Sequence, residues 1–419
     1  MLIIGVLTLK LIVCVSTANV NRNNVCSTFS AYGNISRDKR CFYNPDLDSN
    51  PAEIAQIHGY ALETHLATTE DGYIISIFRL KKNEDQKVFG QPVVLQHGIL
   101  VDSLSWIISG NNSLGFHLVS NGFDVWLPNF RGSTFSGKHV NPSISEKKYW
   151  NFSFHELGVY DIPAIVEKVA KITLRNDIVF LGHSMGSTTS LIYPSMKPKH
   201  AEKYIKGFIY TAPVAHFDHT KGAVSAVLPF YGLIKNLLES FRVYAIGTLP
   251  KLQSFVTGLT CGNYPNILIC QIVYSFSTGL VVQQVRPDIL PVIMKFFPTG
   301  TAVKCLMHYA QIALAKGRFQ QFDYGIEENK KIYNSPVPPE YDVGKITVPS
   351  EVFASKNDFL TDYEDVTRLY NELKCPKNMH TYDLGHTDYL YGKNVNELYN
   401  GIVQAIKSFD LNKSNKIIT

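Results

Sequence analysis

Ile178-Val179-Phe180-Leu181-Gly182-His183-Ser184-Met185-Gly186 decides the reading of this chain. Four apolar residues suited to a buried strand run straight into a pentapeptide with glycine two positions either side of Ser184, and Ser187-Thr188-Thr189-Ser190-Leu191-Ile192-Tyr193 then reads as a helix opening. A strand that turns this sharply into a helix holds its serine in a strained backbone conformation, and glycines at those two positions let strand and helix approach closely. The hydroxyl of such a nucleophile elbow is exposed for attack. The glycine–serine pattern alone is modest evidence, so a turn without chemistry stays open until partner residues are found.

Outward from the elbow, short apolar runs recur. Residues 59–67 and 72–80 form a hairpin across Asp71-Gly72, and strands are expected at 92–97, 124–128, 178–183, 206–212, 348–354 and 378–384. Helix-compatible stretches separate most of them. The pattern predicts an α/β sheet of eight strands, parallel in its later part, with catalytic loops at the carboxyl ends of the strands. Between the sixth and seventh strands lie about 130 residues, 215–345, far beyond an ordinary connection and therefore a structure in themselves. Ala223–Phe241 and Thr301–Ala315 read as amphipathic helices. Leu252 to Val285 carries no charge, but Asn263, Pro265, Asn266, Gln271, Gln283 and Gln284 interrupt it, which fits an apolar-lined helical cap better than a membrane span.

Serine needs a base, and the base needs a carboxylate to orient it. Of thirteen histidines, His386 follows the last expected strand, in Asp383-Leu384-Gly385-His386-Thr387-Asp388. His183 is adjacent to Ser184 and unable to fold back onto it, and His97 suits a structural or oxyanion-loop role. Asp358 lies just beyond the seventh strand, which gives the order Ser184, Asp358, His386; Asp362 and Glu364 follow closely, and a helix-capping role for Asp358 stays open. The backbone N–H groups of Ile99 and Met185 are the candidates to stabilise a tetrahedral oxyanion. No metal-ligand spacing is evident among the histidines and cysteines, and this chemistry needs no cofactor.

The 419 residues are 45% apolar and 18% charged with a net charge of +5, enough for a full core and without the basic runs of a nucleic-acid partner. Residues 1–18 read as a secretory signal peptide, although Lys10 interrupts the apolar run and leaves an uncleaved anchor or another cleavage site open. Its removal leaves six cysteines in an oxidising compartment, where some should pair. Sequons at Asn34, Asn111, Asn151 and Asn412 fit a secreted glycoprotein, with a lysosomal destination as the alternative.

The chain resembles the acid lipases, the family of gastric lipase, lysosomal acid lipase and many secreted insect lipases. The likeness covers roughly residues 50–408 and rests on His97-Gly98-Ile99-Leu100, Asn112-Ser113-Leu114-Gly115-Phe116, Asp124-Val125-Trp126-Leu127-Pro128-Asn129 with Arg131-Gly132, Phe152-Ser153-Phe154-His155-Glu156, the elbow, Thr211-Ala212-Pro213-Val214-Ala215, Asn357-Asp358 and Gly385-His386-Thr387-Asp388. It implies an α/β-hydrolase fold with core segments 19–214 and 346–419. It also implies a Ser184–Asp358–His386 triad, an oxyanion hole at Ile99 and Met185, and a cap-and-lid insertion over a lipid cleft. Met185 stands where vertebrate relatives usually have glutamine, a departure that leaves the backbone donor intact and bears on the local pocket. From the resemblance, Cys261 and Cys270 form a disulfide in the cap; Cys26 and Cys41 are a second candidate pair, with Cys305 and Cys375 left over. The expected activity is acyl-ester hydrolysis at a lipid–water interface, with no stable transmembrane span. The competing readings are an esterase for small soluble esters and a non-catalytic lipid carrier on the same fold.

Overall fold

A computed structural model describes residues 23–414 apart from 84, 88, 250–256, 263 and 279–283. The signal-peptide segment 1–18, the end of the C-terminal tail and part of the charge-free stretch lie outside the described residues, and so does the side chain of Asn412.

The strands that build the main sheet are β1 (Ala61–Thr68), β2 (Tyr73–Lys81), β3 (Pro92–Gln96), β4 (Asp124–Pro128), β5 (Ile178–His183), β6 (Ile205–Thr211), β7 (Ser350–Ser355) and β8 (Pro376–Tyr382). Their order is β1-β2-β4-β3-β5-β6-β7-β8, antiparallel through the β1–β2 hairpin and the β2–β4 pair, then parallel to the far edge. Every residue of β3, β4 and β5 is buried. Strands covered on both faces read as unbroken apolar runs, which is why the sequence marks them so clearly. A two-residue strand, Lys138–His139, adds to β2 beyond the eight expected. The order reverses between β3 and β5, and ligands of open α/β sheets gather outside the strand ends at such a switch point.

The helices of interest are α1 (Ile162–Thr173), α2 (Met185–Met196), α3 (Gly222–Val227), α4 (Tyr231–Ser240), α5 (Asn266–Thr278), α6 (Leu290–Phe296), α7 (Val303–Leu314), α8 (Tyr363–Glu372) and α9 (Asn396–Ser414). Helices α3 to α7 fall in the long connection between β6 and β7. The helix expected over 223–241 is interrupted by a 3₁₀ turn at Leu228–Phe230, because Pro229 has no N–H to continue the α pattern. The one expected from 301 begins at Val303, since Thr301–Ala302 pairs with Ala245–Ile246 as a short sheet. No helix among the described residues is long and apolar enough to cross a membrane.

The segment before the hairpin carries a feature the sequence left open. Val25–Cys26 pairs with Cys41–Phe42, and a Cys26–Cys41 disulfide closes this ribbon. The second disulfide joins Cys261 to Cys270. Both pairs lie in one apolar cluster with Tyr32, Ile289 and Leu290, and the Tyr32 hydroxyl donates to the Pro287 carbonyl at 2.8 Å, so the N-terminal segment packs against the insertion. Cys305 and Cys375 are free thiols. The sequon residues Asn34, Asn111 and Asn151 are exposed.

Arg131, in the loop after β4, is buried with two carboxylates: its guanidinium donates to Asp161 Oδ1 at 2.7 Å and to both oxygens of Asp71, in the hairpin turn. The neighbouring Phe130 N–H donates to His97 Nε2 at 3.0 Å, which links this ion cluster to the His97 loop. Removing one member strands a buried charge. Arg131→Met is therefore expected to lower stability by about 3–5 kcal/mol, read from denaturant unfolding, whereas a loss below about 1 kcal/mol would show the cluster to be dispensable.

Candidate active site

Ser184 sits between β5 and α2 at φ 55° and ψ −119°, a region that side chains rarely adopt. The flanking glycines are sterically required. A Cβ on Gly182 would lie 2.4 Å from the Gly186 backbone, and one on Gly186 would lie 2.3 Å from the Gln96 carbonyl oxygen. The turn directs Ser184 Oγ to His386 Nε2 at 2.8 Å, while His386 Nδ1 meets Asp358 Oδ2 at 2.8 Å. All three residues are buried. Asp358 is held in turn by the N–H groups of Leu360 and Thr361, at 2.8 and 2.9 Å, and by the Thr361 hydroxyl at 2.6 Å. A hydroxyl, an imidazole and a fixed carboxylate in this series can deprotonate the serine as it attacks a carbonyl.

The rival acids have other work. Asp362 caps α8 by accepting from the Glu364 N–H at 2.9 Å and pairs with Lys221 at 2.6 Å, so both its oxygens are engaged by groups other than the imidazole. The rival histidines are buried and uncharged. Desolvation pushes His97 down to about 4, and its Nδ1 donates to the Gly98 carbonyl at 2.8 Å while Nε2 accepts from Phe130, which fixes the loop carrying Ile99. His183, pushed well below the ordinary histidine range by burial and then by the charge of His386, packs its ring 5.1 Å from the His386 ring.

Met185 is the first residue of α2, and first-turn N–H groups have no intrahelical carbonyl to bond. Ile99 borders the same space as Ser184. Two cavities meet there. The smaller has His183, His386, Thr387, Ile293, Met294 and Phe297 on its wall; the larger has Val214, Phe217, Tyr231, Leu306, Met307 and Tyr309. Neither is lined by an acidic or basic side chain apart from the histidines of the first.

Several contacts gave no sequence signal. On α5, one turn beyond Cys270, Tyr274 accepts from the Thr387 hydroxyl at 2.6 Å, next to His386. On α7, the Tyr309 hydroxyl bonds Thr188 of α2 at 2.8 Å. The insertion is thus tied to the loop that carries His386 and to the helix that follows Ser184. Asp388 accepts from the Gly385 N–H at 2.7 Å and closes the His386 loop; burial pushes its carboxyl up to about 6. No cluster of metal-binding side chains occurs among the described residues.

Asp102, beyond the His97 loop, accepts from the Leu104 N–H at 3.0 Å, and burial pushes its carboxyl from 3.8 up to about 7. Between those two values the folded chain holds a proton that the unfolded chain has released. Its contribution to stability is therefore complete near pH 4 and lost as the pH rises to 7, on the order of a few kcal/mol, whereas the depressed His97 acts with the opposite sign. Asp102→Asn keeps the acceptor and removes the titration. Its thermal midpoint should gain on the wild type between pH 4 and pH 7.5, and a difference constant with pH would refute the assignment.

Sheet order, elbow and serine–histidine–carboxylate geometry define an α/β hydrolase, and the comparisons with known proteins agree. Residues 51–110 match the partial alpha/beta-hydrolase lipase region and residues 91–232 the alpha/beta hydrolase fold. The chain is 32% identical to gastric triacylglycerol lipase of Rattus norvegicus, covering 87% of this chain and 93% of that one, and 32% identical to lysosomal acid lipase/cholesteryl ester hydrolase of Macaca fascicularis, covering 87% and 92%. Among solved structures, a lipase candidate from Sulfolobus solfataricus shares the fold at a TM-score of 0.55 and 17% identity over 84% of this chain and 94% of that one. The chain belongs to the acid lipase family. It is a carboxylic ester hydrolase, a lipase.

Proposed function

We propose that this protein is a secreted lipase acting on water-insoluble esters of neutral lipids, triacylglycerols or sterol esters, with Ser184, His386 and Asp358 as its triad and residues 215–345 as cap and lid. The observation that carries the reading is the continuous series from Ser184 Oγ through His386 to Asp358, opening into apolar cavities. Ser184 Oγ adds to the ester carbonyl carbon as its proton passes to His386 Nε2. The Ile99 and Met185 N–H groups take the developing oxyanion. Collapse breaks the bond to the alkoxy oxygen, which receives the Nε2 proton and leaves as the alcohol. Water, losing a proton to Nε2, then attacks the acyl-serine; the Ser184 Oγ–carbonyl bond breaks, Oγ takes the proton back and the fatty acid leaves.

An outward apolar stripe supports work at a lipid surface: Phe230, Leu233, Leu237 and Phe241, on and beside α4, are between 47% and 76% exposed, while Tyr231, Ile234 and Leu238 of the same helix face the larger cavity. Contiguous exposed apolar surface of this kind marks membrane or partner contact. Secretion rests on residues 1–18 and the exposed sequon residues Asn34, Asn111 and Asn151, with a lysosomal destination as the alternative.

The test is hydrolysis of an acyl-chain series offered below and above solubility. Activity that rises steeply once emulsified substrate is present is expected, and simple saturation on soluble esters with none on emulsions would favour a soluble esterase. The cap reading has its own check. A Cys261→Ser, Cys270→Ser double variant should lose activity on emulsified long-chain esters more than on a small soluble ester, since closing so short a loop is worth only about 2–3 kcal/mol and acts chiefly on the shape of the cap. Equal losses on both would remove the cap from substrate choice.

A further inference from the structure

His386 sits in a turn whose shape and place are set separately. The shape is internal: the Gly385 N–H donates to Asp388 Oδ2 at 2.7 Å and the Asp388 N–H to the Gly385 carbonyl at 3.1 Å. The place is set by contacts with other elements. Two residues before His386, the Leu384 N–H donates to the Ser355 hydroxyl of β7 at 2.8 Å, and that hydroxyl donates to the Leu384 carbonyl at 2.6 Å. One residue after it, the Thr387 hydroxyl donates to the Tyr274 hydroxyl of α5 at 2.6 Å. The first anchor belongs to the sheet and the second to the insertion.

Tyr274 is itself firmly seated. It is buried, and with Ile267 of the same helix it shares an apolar cluster with Tyr389, Leu390 and Tyr391, which follow the catalytic turn. Thr387 is half-buried on the wall of the smaller cavity, and a hydroxyl withdrawn from water needs a partner, which it finds on α5.

Resting on the triad of Ser184, His386 and Asp358, we infer that Tyr274 is a positioning residue for His386: through Thr387 it holds the turn so that Nε2 faces Ser184 Oγ at bonding distance. Proton transfer thereby depends on where the insertion lies. Asp358 holds one atom of the ring, Nδ1, and the imidazole pivots about that bond unless the backbone on both sides of His386 is fixed. A displacement on the order of 1 Å between reacting groups costs about a hundredfold in rate, so releasing one of the two anchors should cost about tenfold.

The test is kinetic, on the full-length protein with the small soluble ester p-nitrophenyl butyrate. Tyr274→Phe and Thr387→Val should each lower kcat about tenfold with KM within about twofold, and each should slow phosphonylation of Ser184. The double variant should show the same tenfold loss, because all three remove one bond. Thr387→Ser keeps the hydroxyl and should stay within about twofold of the wild type. A bond that only stabilises the fold would lower the thermal midpoint and leave kcat of the folded enzyme unchanged, which would overturn the inference. Both residues border the cavity beside Ser184, so a raised KM with unchanged kcat would make them substrate contacts instead. Losses that multiply in the double variant would show two separate roles and overturn it as well. If the phosphonate labels the wild type and Tyr274→Phe at equal rates, positioning fails and the triad stands; if it never reaches Ser184 in the wild type, the triad reading fails and positioning with it.

Discussion

Ser184→Ala is expected to abolish ester hydrolysis, with a loss of about 10⁶ in kcat, and to abolish labelling by an organophosphonate. The loss should fall on chemistry alone. Alanine retains the Cβ that Ser184 already carries at φ 55°, so the backbone strain is the same before and after, and the hydroxyl bonds His386. The Ser184 N–H still donates to the Thr211 carbonyl, as it does at 3.1 Å in the native chain. Thermal unfolding should therefore be nearly unchanged. Rate and stability lost together would make Ser184 a structural turn, and covalent labelling that persists in the alanine variant would transfer the nucleophile to another residue.

The fold was legible where burial is symmetric. Strands β3, β4 and β5 are covered on both faces and stand out as apolar runs, and the expected boundaries for all eight strands lie within two residues of those observed. The elbow was legible because its glycines answer a steric demand that acts over four residues. The insertion was legible as helical, but its internal breaks were not, since the amphipathic pattern over Ala223–Phe241 runs on through Pro229, where the backbone lacks the N–H that would continue the α turn. The ribbon of Cys26 and Cys41 escaped because two-residue strands carry no periodicity. The links Tyr274–Thr387 and Tyr309–Thr188 join residues more than a hundred positions apart, and hydroxyl pairs at that separation leave no local trace. The same holds for the two cavities, whose walls are assembled from segments on both sides of the insertion.

The choice between Asp358 and Asp362 rested on chain position and on the resemblance to the acid lipases, and geometry now gives it a sharp test. Asp358→Asn should reduce kcat/KM by at least about a hundredfold, approaching 10⁴, while Asp362→Asn should cost less than about tenfold. Asp358 Oδ1 accepts two backbone N–H groups, so an asparagine there would keep its oxygen on Leu360 and Thr361 and turn its amide N–H toward His386 Nδ1. That nitrogen would then have to accept, and the ring proton would sit on Nε2, which faces Ser184 Oγ and needs a free lone pair to take the serine proton. The variant thus keeps its shape and loses the working tautomer. At position 362, asparagine caps α8 as well as aspartate does, and what is lost is an ion pair to the exposed Lys221, worth about 0–1 kcal/mol. Kinetics of both variants on one soluble ester decide the matter. If Asp362→Asn proved the more damaging, its carboxylate would have to leave the α8 cap in the working enzyme, and the orienting acid would be reassigned to it.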